Sequence, residues 1–165
     1  MKGILKNTIT LTALAVITSC TAQKSNGPER ITVKGTEFYK GNTPYHYIGA
    51  NYWYGSLLAS KSVGDRARLS RELDELKANG MDNLRILVGA EGGTQDFTVK
   101  PALQPKQGVY NDDLLDGLDY LLNELRKRNM YAVLYLGNNW EWSGGMAQYL
   151  EWNGKGTLPN PCLLY

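Results

Sequence analysis

The sequence predicts an α/β fold made of the first three βα units of a (β/α)8 barrel, preceded by a short β-hairpin. Two observations carry this. Strand-like apolar runs alternate with leucine-striped helices from about residue 45 onward, and that alternation implies parallel strands joined by right-handed crossovers. The predicted strand ends deliver large polar and aromatic groups, namely Asn51, Tyr52, Trp53, Arg85, Asn138, Asn139 and Trp140; such groups at the carboxyl ends of parallel strands are what a barrel displays on its catalytic face. A doubly wound sheet is the competing architecture. It would place a glycine-rich phosphate turn directly between strand and helix. The nearest candidate, "GAEGGTQ", spaces Gly89, Gly92 and Gly93 to fit neither G-x-G-x-x-G nor the P-loop, and a long loop follows it. A complete barrel takes about 250 residues, so a chain of 165 residues with three legible strands is expected to be the amino-terminal part of an incomplete barrel.

The elements follow in order. "MKGILKNTITLTALAVITSC" has Lys2 and Lys6, an apolar stretch over residues 9–17, then small residues. That is the layout of a secretory signal over residues 1–19, too short to span a bilayer. "ITSC" also resembles a bacterial lipobox with Cys20 as the lipidated first residue; an ordinary cleaved signal is the alternative. The expected location is therefore exported and membrane-anchored through lipid, periplasmic or at the cell surface of a bacterium. "TAQKSNGPER" closes the segment 20–30 as a polar tether, leaving residues 31–165 for the barrel portion. "ITVKGTEFYKGNTPYHYIGANYWY" reads as a hairpin, broken at Gly35 and "KGNTP", leading into a buried strand at about residues 45–52.

"DRARLSRELDELKANG" carries Leu69, Leu73 and Leu76 at helical spacing, with Asp65 as start cap and Gly80 as end cap. "NLRILVGA" is the next strand. "NDDLLDGLDYLLNELRKRN" sets Leu114, Leu118, Leu121, Leu122 and Leu125 on one stripe behind the cap Asn111. "YAVLYLGNN" is the third strand, and the residues after it read as loop.

Charge narrows the partners. The chain has 18 basic and 16 acidic residues. Loss of residues 1–19 would remove Lys2 and Lys6 and no acid, giving a neutral mature chain with no electrostatic footprint for nucleic acid. Cys162 stands far from Cys20, and no disulfide framework is expected. His46 is the one histidine, so a histidine-rich metal site cannot be built; it also falls at the start of the first strand, the wrong end for a barrel site, and acid–base work would fall to carboxylates. No cofactor is expected. The four tryptophans, Trp53, Trp140, Trp142 and Trp152, all lie at or beyond predicted strand ends. Their flat faces suit sugar C–H groups and their edges suit hydroxyls; the plainer role is to plug the barrel top or brace the loop, which Trp152 fits equally well.

"GANYWYG", "NLRILVGAEG", "KPALQPKQGVYNDDLLDGLDYLLNEL" and "NNWEWSGGMAQYLEWNG", in this order and spacing, together resemble glycoside hydrolase family 5, in particular its β-mannanases, over about residues 31–158. The resemblance implies retaining endo-hydrolysis of β-1,4-mannosidic bonds in mannan, glucomannan or galactomannan, by an acid/base glutamate and a nucleophile glutamate about 5–5.5 Å apart. It places the acid/base after the fourth barrel strand and the nucleophile after the seventh, so both are expected to be absent from this chain, which alone would be inactive. Arg85 matches the arginine that orients the nucleophile and favours its ionised form. Asn51, Tyr52, Trp53, Asn138, Asn139 and Trp140 match the motifs lining the sugar subsites; Glu141, after the third strand, reads as a substrate-contacting or loop-bracing residue rather than a catalytic one, and Trp142 is counted with the substrate-binding residues. Asn123 and Glu124 imitate the family's acid/base pair, but lie inside the second leucine helix, where Glu124 reads as a solvated side chain. Glu91 and Glu151 read as loop acids without a role. The alternatives are a non-catalytic carbohydrate-binding lipoprotein and a β-1,4-glucanase of the same clan.

Overall fold

The computed structural model describes residues 28–157. The expected signal segment, Cys20, most of the tether and Cys162 lie outside them.

Two three-stranded sheets form. The first is antiparallel, in the order β1 (Ile31–Lys34), β2 (Glu37–Lys40), β3 (Thr43–Pro44). The expected hairpin is thus extended by a third strand, because "KGNT" makes a second tight turn at Gly41 (φ +59°) that folds the chain back onto β2. The second sheet is parallel, in the order β4 (Gly49–Asn51), β5 (Asn83–Leu87), β6 (Tyr131–Tyr135). The strand expected at residues 45–52 shrinks to Gly49–Asn51. Tyr45 and Tyr47 instead enter an aromatic stack, with ring centroids 5.3 Å apart and Tyr45 5.2 Å from Tyr131. The stack ties the residues between the two sheets to the start of β6.

Between the parallel strands run the short α1 (Gly55–Ala59), α2 (Arg66–Ala78) and α3 (Asp112–Lys127). Asp65 Oδ1 accepts from the Arg68 amide at 2.8 Å and so caps α2, and the Asn111 side chain does the same for α3. Both helices end alike. In α2 the Gly80 amide donates to Lys77 O and Met81 to Leu76 O; in α3 Asn129 donates to Arg126 O and Met130 to Leu125 O. These are the paired bonds of a Schellman ending, and Gly80 (φ +81°) and Asn129 (φ +52°) take the left-handed position it requires.

The leucine stripes face the sheet. Leu69, Leu73, Leu121 and Leu125 are fully buried against Leu84 and Ile86, which point outward from β5. Each such side chain contributes about 2 kcal/mol of burial. α1 packs closely on α3 at Gly117, where a Cβ would fall 2.5 Å from Ser56 O.

Two readings are corrected here. Glu124 is not solvated: it is buried, and accepts from Lys127 Nζ at 2.5 Å and Arg128 Nη1 at 2.6 Å, while Arg128 also reaches Asp74 on α2. The segment after β6 is not all loop: a 3-10 turn over Glu141–Ser143 leads into a helix, α4 (Gly145–Trp152).

The order β4–β5–β6 with intervening helices is that of the first three strands of a (β/α)8 barrel; among the described residues the sheet is open and no barrel closes. No described helix is long and apolar enough to cross a membrane.

Candidate functional site

Side chains alternate along a strand, so the register decides which residues share a face. Asn51 pairs with Arg85, and Arg85 with Val133. These three stand side by side on the face opposite the helices, which would be the interior of a barrel. Tyr47, Gly49, Asn51, Asn83, Arg85 and Val133 line an open hollow of about 320 Å³ there. Arg85 is the central residue of β5 rather than its last, because the strand continues to Leu87. Its guanidinium lies 3.7 Å from the Tyr135 ring centroid, a cation–π contact that fixes the side chain over the inner face. Burial raises the Tyr135 phenol above its ordinary value, and the Arg85 charge opposes that rise.

The loops at the carboxyl ends carry the aromatics. Trp53 and Trp142 meet edge to face at 5.2 Å, and both pack on Leu87, Ala90 and Ala102. The Trp142 carbonyl also accepts from the Val99 amide at 2.8 Å. Trp140 is different: it is 58% exposed. Asn138 is half-buried, with its Oδ1 accepting from the Asn139 amide at 3.0 Å, and Asn139 is exposed. Glu141 is half-buried at the head of the 3-10 turn. Trp152 lies on α4, edge-on to Tyr149 at 5.3 Å. His46 is exposed, ahead of β4.

Tyr52 departs from expectation. It is 3% exposed and points to the helix side, where its hydroxyl donates to Glu72 Oε2 on α2 at 2.6 Å. Burial first, then Glu72, raises this phenol well above its ordinary value. Tyr52 braces α2 against the end of β4, and its side chain is on the helix side of the sheet rather than on the inner face. Among the described residues, no group of three or more His, Cys, Asp or Glu side chains is placed to hold a metal ion.

Glu91 was not expected to matter. It is 3% exposed, just beyond β5. Its Oε2 accepts from the Gly145 amide at 3.0 Å, and its own amide donates to Ser143 O at 3.0 Å. Burial raises its carboxyl above the ordinary value, against the pull of the Gly145 amide and the Tyr149 hydroxyl. Glu91, Gly137, Asn138, Asn139, Met146 and Tyr149 line a second hollow of about 280 Å³. The available signal was an acid that continues the apolar run "NLRILVGA" between Ala90 and Gly92.

Residues 28–163 match the family model described as GH family 5 beta-mannosidase-like. The putative mannan endo-1,4-beta-mannosidase 9 of Oryza sativa subsp. japonica is 34% identical over 118 residues, covering 72% of this chain and 27% of that protein. Mannan endo-1,4-beta-mannosidase 7 of Arabidopsis thaliana is 30% identical, with 74% and 27% covered. Among solved structures, the glycoside hydrolase family 5 mannosidase from Rhizomucor miehei in complex with mannosyl-fructose is 39% identical, with a TM-score of 0.72, covering 83% of this chain and 32% of that one. The chain thus spans about a quarter of the curated relatives it matches. With the order of its strands and a match that covers all of its described residues, the chain belongs to the glycoside hydrolase family 5 β-mannosidase-like family.

Proposed function

We propose that this chain supplies the sugar-binding wall and the nucleophile-orienting arginine of an enzyme that hydrolyses β-1,4-mannosidic bonds with retention. The observation that carries the reading is the placement of Arg85 beside Asn51 on the inner face, with Asn138, Asn139 and Trp140 on the loop beyond the neighbouring strand. Relatives named mannan endo-1,4-beta-mannosidases and a mannosidase solved with mannosyl-fructose support a mannose-containing substrate.

In the proposed chemistry, Trp140 offers an apolar face to a mannose ring. Asn51, Asn138 and Asn139 offer amide donors and acceptors to its hydroxyls. Trp53 and Trp142 stiffen the wall behind them. Arg85 keeps the attacking carboxylate ionised and aimed, since a cation beside a carboxyl favours its charged form. None of the glutamates described serves as the attacking or protonating group in this reading. Glu91 and Glu124 are buried in hydrogen bonds of their own, and Glu141 heads a turn after the third barrel strand.

Endo-hydrolysis of galactomannan by the full-length protein, followed as loss of viscosity against xylan and carboxymethylcellulose controls, tests the assignment. Preferential loss with galactomannan is expected. Cleavage of carboxymethylcellulose instead would make it a glucanase, and glycan binding without cleavage a lectin-like protein. Export with lipid on Cys20 belongs to the same proposal and rests on residues 2–20 alone. The rice and Arabidopsis relatives show that the family extends beyond bacteria, so a bacterial source rests on the lipobox. Palmitate labelling that disappears in Cys20→Ser is the expected result.

A further inference from the structure

We propose that Glu91 is a positioning residue: its buried carboxylate holds residues 143–145, and through them Asn138, Asn139 and Trp140, at the carboxyl edge of the sheet. What that loop grips rests on the mannan reading above; that Glu91 fixes the loop does not.

The loop after β6 is gripped by Glu91 from both backbone and side chain. The Glu91 amide donates to Ser143 O at 3.0 Å, the Gly145 amide donates to Glu91 Oε2 at 3.0 Å, and the Tyr149 hydroxyl donates to Oε1 at 3.5 Å. Steric fit completes the grip. A Cβ on Gly144 (φ +83°) would fall 2.3 Å from Glu91 O, and one on Gly145 (φ +59°) 2.2 Å from Asn138 O. Residues 144 and 145 therefore pass between Glu91 on one side and Asn138 on the other, with no room for a side chain at either position. The turn over Glu141–Ser143 returns from there to Trp140, whose carbonyl accepts from the Ser143 amide and hydroxyl at 3.2 Å each.

Glu91 is itself held. Ala90 before it adopts φ +136°, which an L residue rarely takes. The strained backbone is clamped by Gln104, whose amide donates to Ala90 O and whose carbonyl accepts from Gly92, both at 2.9 Å. Gln104 Nε2 also donates to Tyr149 Oη at 2.8 Å, which orients that hydroxyl toward Glu91. Strained residues of this kind persist where the surroundings over-determine them, and they cluster at functional sites. A buried acid with no cation among its hydrogen-bond partners is an expensive way to fill space. What it provides here that an apolar side chain cannot is an acceptor at one fixed point, opposite the Gly145 amide.

The test uses Glu91→Gln and Glu91→Ala in the full-length protein. Glutamine keeps an oxygen for the Gly145 amide and offers its NH₂ to Tyr149 Oη; alanine offers neither. Amide hydrogen exchange at Gly145 is expected to speed by about tenfold or more in Glu91→Ala and to stay within about threefold of the parent in Glu91→Gln. Steady-state hydrolysis of β-1,4-mannohexaose is expected to follow, with KM raised about tenfold by alanine and restored by glutamine, and kcat changed less than KM. Unchanged Gly145 exchange in Glu91→Ala would overturn the proposal, as would a glutamine variant as impaired as alanine, since charge rather than geometry would then be at work. If Glu91→Ala does not fold, the glutamine variant decides alone. If the parent does not cleave mannohexaose, the mannan reading fails, and the exchange measurement still decides the role of Glu91.

Discussion

Trp140 and Trp142 stand two residues apart on one loop, yet their surroundings differ. Trp142 is wedged edge-on against Trp53 over Leu87 and Ala90, whereas Trp140 projects into solvent. Trp142→Ala is therefore expected to lower the unfolding free energy by about 3 kcal/mol in a denaturant titration. Trp140→Ala is expected to leave that value within about 0.5 kcal/mol and to weaken mannohexaose binding about tenfold by calorimetry. Sequence alone treats the two alike, because both follow a strand end and only the turn over Glu141–Ser143 separates their directions. Tyr52 is a different matter: strand parity already decides it. If Asn51 faces the interior, the next residue faces the helices, and its hydroxyl finds Glu72 there. Glu91 could not be recognised in this way, since what buries it is α4 and the turn before it, which approach from more than fifty residues away in the chain.

At the scale of elements, legibility tracks the presence of a capping side chain. α2 and α3 announce themselves by Asp65 and Asn111 and by leucines at helical spacing, and α2 also by Gly80 at its end. α1 has five residues and no side-chain cap, and α4 opens on two glycines with none either, so neither leaves the usual start signal. The dipeptide Asn123-Glu124 misleads for a related reason: it lies on a helix, but Glu124 turns inward to meet Arg128, which bridges to Asp74 on α2. Arg128→Met would leave the buried Glu124 with Lys127 alone, and a loss of about 3 kcal/mol in chemical denaturation is expected. The same contact gives a pH dependence. Lys127, then Arg128, holds the folded Glu124 carboxyl below its ordinary value despite burial. Its contribution is therefore present above the unfolded carboxyl's pKa and is lost as pH falls through the folded one. Glu91 has the opposite sign: burial raises its folded value, so it costs stability as pH rises past the ordinary carboxylate range. Thermal melts of Glu124→Gln and Glu91→Gln across pH 3 to 7 are expected to diverge from the parent in opposite directions.

The described residues form a three-stranded parallel sheet with helices on one face and Asn51, Arg85 and Val133 on the other, beside a smaller antiparallel sheet. Val133, Leu134 and Leu136 are exposed on or just after β6, and β4 and β6 each pair on one side only, which is the surface that further barrel strands and helices would cover. The order of strands and helices was readable because each βα unit repeats one pattern; the antiparallel sheet was only half readable, because a two-residue strand such as β3 carries no periodicity. Arg85 ties the fold to the proposed function, since it sits at the middle of the central strand, held over Tyr135 and facing inward. The most direct test is the pH profile of kcat/KM on mannohexaose for the full-length protein and its Arg85→Ala variant. If Arg85 orients an ionised nucleophile, the variant should lose about 100-fold or more in kcat/KM, and the acidic limb of its profile should move to higher pH. A variant with parental kcat/KM and an unmoved acidic limb would contradict the assignment of this face as the catalytic one.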